Sequence, residues 1–256
     1  MSSPEVRSPG LGPLRRRART PEPSKAGVSA ADALRWLERR GSRRNREGMA
    51  RYGIPSEGAF GVTFGELRAY AKGIPKGPGL ARALWSTGRY EARLLAALVD
   101  DPRKVTPSQM DRWAAEFDSW AVCDTVCFHL FDRTPHAWSR VHAWAGVSPT
   151  FKKRAAFAVL WGLTVHDREA SDDRFLETFP LIERGALDER EMVKKGVDMA
   201  LRAVGKRSPG LRRAAIELAA KLEASPEGSR AWIGRSVLRE LRGKPATRSR
   251  RRAPSR

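Results

Sequence analysis

The chain has 256 residues, of which 49 are Lys or Arg and 29 are Asp or Glu, so its formal net charge is +20. Its two cysteines are too few for a disulfide framework, and no apolar run approaches the ~20 residues of a membrane span. These features predict a cytoplasmic protein that does not enter a membrane. The positive charge favours a polyanionic partner, above all nucleic acid, although a basic surface that serves only solubility is the alternative.

The two ends differ in composition from the rest of the chain. Residues 1–27 are rich in Pro, Ser, Gly and Arg, and residues 242–256 carry seven basic residues and no acidic one. Both ends have almost nothing to bury and are predicted to be disordered basic arms. Residues 28–241 then form one folded domain, and the arms could raise its non-specific affinity for DNA.

Between these ends, apolar residues recur at helical spacing, and the alternating runs typical of strands are absent. Five helix starts are suggested by a Ser or Thr followed by Pro, which supplies a capping oxygen and then a residue that needs no N–H donor. They stand at Thr106-Pro107, Thr134-Pro135, Ser148-Pro149, Ser208-Pro209 and Ser225-Pro226. Gln109 is predicted to complete a capping box with Thr106. The predicted helices span residues 30–46, 64–73, 78–87, 89–99, 107–117, 119–131, 135–144, 150–165, 173–183, 189–205, 209–223 and 227–241.

Many short helices with short connections favour an all-α protein in which antiparallel helix pairs stack into a solenoid. A four-helix bundle has fewer and longer helices. A solenoid buries each pair against its neighbours and leaves a curved surface for a long partner. This prediction rests on the helix count, since the sequence shows no strict repeat.

One predicted helix carries an unusual pair of residues. Trp120 and Asp124 are four residues apart, so the indole and the carboxylate lie on the same face, one turn from each other. An acid beside a large aromatic in so basic a chain suggests a functional site. The alternative is that Asp124 accepts a hydrogen bond from a neighbouring helix and Trp120 belongs to the core. Cys123 and Cys127 are interpreted as reduced core residues, because with His129 they lack the spacing of a zinc site.

Several blocks, taken in order, resemble the bacterial DNA alkylation repair family, whose members are HEAT-like alkylpurine DNA glycosylases. The blocks cover about residues 30–240 and read MARYGI, GVTFGELRAYAK, ALWSTGRYEARLLAALVDDP, FDSWAVCDTVC, HLFDR, KKRAAFAVLWGLTVHD and VKKGVDMALRAVGKR. The resemblance implies a HEAT-like helical-repeat solenoid, an α-α superhelix that holds duplex DNA in a concave cleft. It also implies excision of N3- and N7-alkylated purines by hydrolysis of the N-glycosidic bond. Neither a metal nor a cofactor is implied, and the base is not drawn into a pocket.

The resemblance also assigns site residues by position. Trp120 and Asp124 match the family's Trp-x-x-x-Asp pair. Arg154 matches an arginine that is expected to place a fork on a phosphate beside the lesion, although a solvated basic turn is the alternative. Tyr52 matches a tyrosine for which DNA contact and packing at a helix end both remain open. Met199 stands where family members usually carry a tryptophan that flanks the backbone of the lesion.

The chemistry of these residue types suits the implied reaction. An N3- or N7-alkylated purine is already cationic and can leave without a general acid. A carboxylate at Asp124 could stabilise the oxocarbenium-like sugar and direct a water at C1′, while the Trp120 indole could pack on the deoxyribose. Arg154 completes the predicted catalytic set. The predicted DNA contacts, each of which could instead be an ordinary packed or solvated side chain, are Tyr52, Lys152, Lys153, Lys194, Lys195, Met199, Arg202, Lys206 and Arg207.

Residues and resemblance together predict a monomeric, nucleoid-associated DNA glycosylase that acts on double-stranded DNA containing alkylated purines. One alternative is a non-catalytic HEAT-like binder of damaged or distorted DNA, which Met199 suggests. Another is a protein-binding scaffold, which would need an apolar or acidic concave face. The remaining tryptophans are interpreted as core residues; they are Trp85, Trp113, Trp138, Trp144, Trp161 and Trp232.

Overall fold

A computed structural model describes residues 27–243, which form helices and connecting loops without a strand. The helices are α1 (Ala30–Arg40), α2 (Arg43–Met49), α3 (Phe64–Ala71), α4 (Pro78–Trp85), α5 (Tyr90–Val99), α6 (Pro107–Ala115), α7 (Trp120–His129), α8 (Ala137–Trp144), α9 (Thr150–His166), α10 (Asp172–Leu176), α11 (Phe179–Gly185), α12 (Glu191–Arg207), α13 (Pro209–Glu223) and α14 (Gly228–Arg242). Short 3-10 turns follow α2 and α7, at Ala50–Tyr52 and Phe131–Arg133. The predicted all-α fold is confirmed. None of the described helices is both long enough and apolar enough to cross a membrane.

The arms predicted at residues 1–27 and 242–256 lie outside the described residues, apart from their innermost positions. Described residues at these borders are Gly27 at one end, and Arg242 and Gly243 at the other. Arg242 is the last residue of α14.

The central helices pack side by side in a row. α5, α7, α9, α12 and α14 contact one another in that order, and α3 packs against α5. Between them in sequence, α4 packs on α5, α8 packs on α9, and α13 packs on both α12 and α14. This is the stacking of helix pairs expected of a solenoid. It places α7, α9 and α12 next to one another, and these helices carry the predicted catalytic residues and Met199.

The hydrophobic core extends along the row and contains large aromatic side chains. Trp85 and Trp113 are buried and stack at 4.1 Å between ring centroids, and Trp144 is also buried. Cys123 and Cys127 are free and buried, as predicted. The interpretation of these residues as core is confirmed.

Two of the five Ser/Thr-Pro pairs cap helices as predicted. Thr106 accepts a hydrogen bond from the backbone N–H of Gln109 (3.2 Å), and Ser208 accepts one from that of Leu211 (3.0 Å). The other three pairs stand one to three residues before the helices that follow them, α8, α9 and α14. Thr134 does not cap α8, because its hydroxyl donates back to the carbonyl of Phe131 (2.8 Å) and closes the preceding 3-10 turn.

Three further local predictions are wrong. The Gln109 side chain does not complete a capping box; it donates to the buried carboxylate of Asp100 at 2.7 Å. The helix predicted at 30–46 is interrupted at Gly41, where an added Cβ would lie 2.8 Å from the carbonyl oxygen of Phe60. The helix predicted at 173–183 is divided into α10 and α11, because the Thr178 hydroxyl donates to the Phe175 carbonyl (2.6 Å) and a new helix starts beyond it.

Glu91 attaches the N-terminal helices to the row. Its carboxylate, which is fully buried on α5, accepts hydrogen bonds from the backbone N–H groups of Phe60 (2.9 Å), Gly61 (2.6 Å) and Val62 (3.2 Å). Gly61 has a φ of 79°, and a side chain there would overlap the backbone of Ser42. The loop that leads from α2 to α3 is therefore fixed by one acid and one glycine.

We expect Glu91→Ala to lower the free energy of unfolding by about 2 to 3 kcal/mol, because it leaves buried N–H groups without an acceptor. Urea denaturation followed by circular dichroism measures the change. Glu57→Ala is the matched control, since this exposed glutamate lies in the same connection and should change stability by less than about 0.5 kcal/mol. Equal stability of the two variants would contradict the role assigned to Glu91.

Candidate nucleic-acid interface

Two predicted site residues lie in the first turns of α7. The hydroxyl of Ser119 caps this helix by accepting a hydrogen bond from the N–H of Val122 (3.4 Å). Trp120 and Asp124 follow one turn apart, and both are half-buried. Their side chains therefore share the helix face that their spacing predicts.

Arg154 of α9 holds the Asp124 carboxylate with two parallel hydrogen bonds. Its Nε donates to Oδ1 at 2.8 Å, and its Nη2 donates to Oδ2 at 2.6 Å. Its Nη1 donates to the backbone carbonyl of Met192 on α12, also at 2.6 Å. Only 6% of the arginine side chain and 13% of the aspartate side chain are exposed. A bidentate pair with so little exposure fixes the carboxylate in one orientation.

This pairing changes the role expected of Arg154. Burial acts to lower the pKa of its guanidinium, but the hydrogen bonds and charge of Asp124 outweigh burial, so the pKa is raised and the group stays charged. The edge of the guanidinium that would form a fork on a phosphate is bound to Asp124. The expected phosphate fork is thus occupied, and Arg154 positions the carboxylate.

Met199 lies beside Arg154 in a cavity of about 620 Å³. Arg202 and Trp232 also line this cavity. Met199 is half-buried and packs against the core. Asp124, Arg154 and Met199 thus form a continuous set across α7, α9 and α12.

Tyr52 is brought to Trp120 from the other end of the fold. The indole Nε1 of Trp120 donates a hydrogen bond to the backbone carbonyl of Tyr52 at 2.8 Å. The Tyr52 side chain itself is 70% exposed. Tyr52 is therefore adjacent to the Trp120 edge of the site with its ring directed away from any core.

Most of the predicted basic contacts form ion pairs with neighbouring acids. Lys152 pairs with Asp111 at 3.1 Å and Lys153 with Asp188 at 3.0 Å. On α12, the remaining pairs are Lys194 and Lys195 with Glu191 (2.7 and 3.0 Å), Arg202 with Asp198 and Glu240 (2.8 and 2.6 Å), and Lys206 with Glu240.

Exposure separates these cations into two groups. About half of the side chain is exposed in Lys195 (52%) and Lys206 (54%), whereas Lys153 and Lys194 are at 15% and 20%. Exposed ion pairs contribute little to stability and exchange partners readily. Lys195 and Lys206 are consequently the cations most available to a phosphate.

Arg207, which is predicted to contact DNA, has a role within the fold. Its guanidinium donates to the backbone carbonyls of Thr164 (3.0 Å), Asp167 (2.7 Å) and Ala170 (2.8 Å), and it lies 4.5 Å above the ring of Phe175. These carbonyls end α9 and belong to the turn after it, so Arg207 caps that helix.

Trp161 was assigned to the core, and this is wrong. It is half-buried, lies outside the hydrophobic core and packs on Phe128 of α7, with 4.3 Å between ring centroids and 32° between the ring planes. Helical spacing could have placed both residues on the faces that carry the candidate site, because Phe128 follows Asp124 by four positions and Trp161 follows Arg154 by seven. Trp138 and Trp232 differ from Trp161, since both are half-buried but pack against the core.

A buried acid lies behind this aromatic pair. Oδ2 of Asp132 contacts Nδ1 of His166, whose Nε2 is 3.1 Å from the Arg133 guanidinium. The other carboxylate oxygen, Oδ1, is buried without a hydrogen-bond partner. Burial raises the pKa of Asp132 to about 8, although the charge of Arg133 acts in the opposite direction.

This raised pKa predicts a pH dependence of stability. The folded protein retains a proton on Asp132 at pH values where the unfolded chain, with a pKa near 3.8, has lost it. Stability from this source is therefore fully present below about pH 4 and is lost as the pH rises through about 8. We expect the free energy of unfolding of the wild type to fall relative to that of Asp132→Asn across this range. Urea titrations at several pH values measure both curves, and parallel curves would contradict the prediction.

Comparisons with known proteins agree with this helical-repeat architecture. A family model described as DNA alkylation repair enzyme matches residues 33–231. A solved structure, described as a new family of proteins related to the HEAT-like repeat DNA glycosylases with affinity for branched DNA structures, matches with a TM-score of 0.69. The match has 21% sequence identity and covers 83% of this chain and 95% of the other. At that identity it establishes the fold, which is the predicted HEAT-like helical repeat. None of the curated proteins matches the chain.

Proposed function

Because the chain belongs to the DNA alkylation repair enzyme family, we propose that it is a DNA glycosylase that releases cationic N3- and N7-alkylated purines from duplex DNA. The observation that carries the proposal is the Asp124 carboxylate, which Arg154 holds in one orientation one turn from Trp120. An acid beside an aromatic surface on one helix, fixed by an arginine of the adjacent helix in a basic protein, suits a reaction that develops positive charge on a sugar.

Asp124 would act on the deoxyribose and the attacking water. As the bond between C1′ and the purine nitrogen breaks, its electron pair leaves with the purine and neutralises the charge on the alkylated ring. Positive charge then develops on C1′ and the ring oxygen, where a nearby carboxylate is stabilising. Water adds its oxygen to C1′, and the proton that it loses passes to Asp124 or to solvent.

Arg154 would contribute through the geometry of the carboxylate. Two hydrogen bonds restrict Asp124 before the substrate arrives, so little reorganisation is needed as charge develops. The positive charge of the guanidinium opposes the stabilisation of a cation by the Asp124 carboxylate. The carboxylate therefore outweighs the arginine only if the sugar approaches the exposed side of Asp124, away from Arg154.

Trp120 would provide the surface on which the deoxyribose packs. Its indole is anchored through Nε1 to the carbonyl of Tyr52, so the ring plane is fixed from its polar edge. The π face of an indole is electron-rich and attracts a cation above it. Among the predicted basic contacts, Lys195 and Lys206 have the most exposed side chains, which suits them to neutralise DNA phosphates.

A second candidate function is binding of damaged or distorted DNA without base release. Met199 favours it, because a methionine in the cavity beside Arg154 can fill space and make soft contacts but has no π face to offer a cation.

Single-turnover release of 7-methylguanine separates the two functions. Methylated duplex DNA is incubated with excess protein or with buffer, and the free base is quantified, while binding to the same duplex is measured by fluorescence anisotropy at fixed salt. Release above the spontaneous rate supports the glycosylase. Binding without such release supports the non-catalytic binder and rejects the enzymatic proposal.

A further inference from the structure

Five aromatic rings form a row across α3, α7 and α9. We call it the aromatic row: Phe64, His129, Phe128, Trp161 and His166. Phe64 lies 5.1 Å from His129, His129 lies 5.2 Å from Phe128, and Phe128 lies 4.3 Å from Trp161, all between ring centroids. His166 meets Phe128 edge-on at 4.8 Å. The row is therefore continuous.

The row is a surface feature. All five residues are half-buried, and Phe128 and Trp161 lie outside the hydrophobic core. Large aromatic rings normally gain most of their stabilising energy by burial, so partly exposed rings outside the core that meet at a tilt or edge-on leave part of their π surface accessible to a ligand. On α7, Phe128 is one turn from Asp124 and on the same face.

Cations surround the row. Arg133 is exposed and bonds to His166 (3.1 Å), and Arg68 and Arg168 are exposed as well. Burial, together with the charges of Arg133 and Arg68, lowers the pKa of His129 to about 4, so the ring is neutral at neutral pH. At the Trp161 end, a cavity of about 400 Å³ is also lined by Met199, Arg202 and Lys206. Neutral aromatic faces thus lie within a positively charged border.

From this combination we infer that the aromatic row is a stacking site for an unpaired base of DNA, with the bordering arginines and Lys206 neutralising its phosphates. Aromatic rings bind single-stranded nucleic acid because every base has a π face, and a positive border follows the backbone. A paired base inside a duplex cannot present that face. An apolar protein segment fits the row less well, because the cations would oppose its approach.

Binding of unmodified DNA tests the inference without any base release, so its outcome is independent of the glycosylase proposal. The probes are a duplex that carries a bulge of unpaired thymines and the same duplex fully paired, each labelled for fluorescence anisotropy at one salt concentration. We expect Phe128→Leu and Trp161→Leu each to weaken binding of the bulged probe about tenfold, while binding of the paired probe changes less than about twofold.

Matched variants separate stacking from simple loss of structure. Phe128→Tyr and Trp161→Phe keep an aromatic face and should retain wild-type affinity within about threefold. Trp36→Leu removes a different pair of half-buried stacked rings, Trp36 and Tyr70, and should change the affinity for neither probe. Circular dichroism identifies the folded variants, and the two tested positions lie on different helices, so each tests the row separately. Equal weakening of both probes, or unchanged binding of the bulged probe by the leucine variants, would overturn the inference.

Discussion

Release of 7-methylguanine from methylated duplex DNA is expected to fall about 100- to 1,000-fold in Asp124→Asn, with affinity for the same DNA within about threefold of wild type. Asparagine has the shape of aspartate and can still accept one hydrogen bond from Arg154, but it lacks the charge that would stabilise the developing cation. The loss should appear in the rate constant for base release in a single turnover and hardly at all in the dissociation constant.

Glu183→Gln is the control for this experiment. Glu183 also pairs with bases, Lys221 at 2.6 Å and Arg230 at 3.1 Å, but it lies on α11 outside the candidate site. Its neutral variant should release base at the wild-type rate. If Asp124→Asn also did so, the catalytic assignment of Asp124 would be wrong even if the protein proved to be a glycosylase.

The second large effect is expected in stability. Arg154→Met should lower the free energy of unfolding by about 3 to 5 kcal/mol, because it leaves the Asp124 carboxylate nearly buried and without its partner. Replacing both residues, as Asp124→Leu with Arg154→Met, should recover much of that loss, since no unpaired charge then remains. Urea denaturation of the two single variants and the double variant gives the coupling free energy.

An exposed ion pair provides the matched control for this prediction. Arg35 pairs with Asp32 at 2.5 Å, but their side chains are 60% and 48% exposed. Arg35→Met should therefore cost less than about 1 kcal/mol. Similar losses in the Arg35 and Arg154 variants would show that burial does not govern the Asp124 pair.

Local spacing explains which parts of the site the sequence predicts. The shared face of Trp120 and Asp124 follows from four positions along one helix, and the helices themselves follow from apolar periodicity. The partner of Asp124 does not follow in this way, because Arg154 is thirty residues away on another helix. Only the packing of α7 against α9 turns an expected phosphate ligand into a positioning residue.

The same limit explains why the sequence did not reveal the helix-capping role of Arg207 or the partly exposed position of Trp161. A basic side chain near a helix end has the same sequence pattern whether it faces phosphate or the carbonyls that end a neighbouring helix. A tryptophan among apolar residues likewise has the same pattern whether it faces the core or a ring on the next helix. In each case the outcome depends on which element lies opposite, and that is a property of tertiary packing.

Through the hydrogen bond from Trp120 to the Tyr52 carbonyl, the N-terminal segment restrains a side chain of the candidate site. Sixty-eight positions separate the two residues, so the indole is restrained by a segment that folds against α7 from far away in the chain. A shortened protein that began at α3 would keep Trp120 and Asp124 on an intact helix. It would also free the indole to rotate, so packing a sugar against the ring would cost the conformational entropy of that rotation.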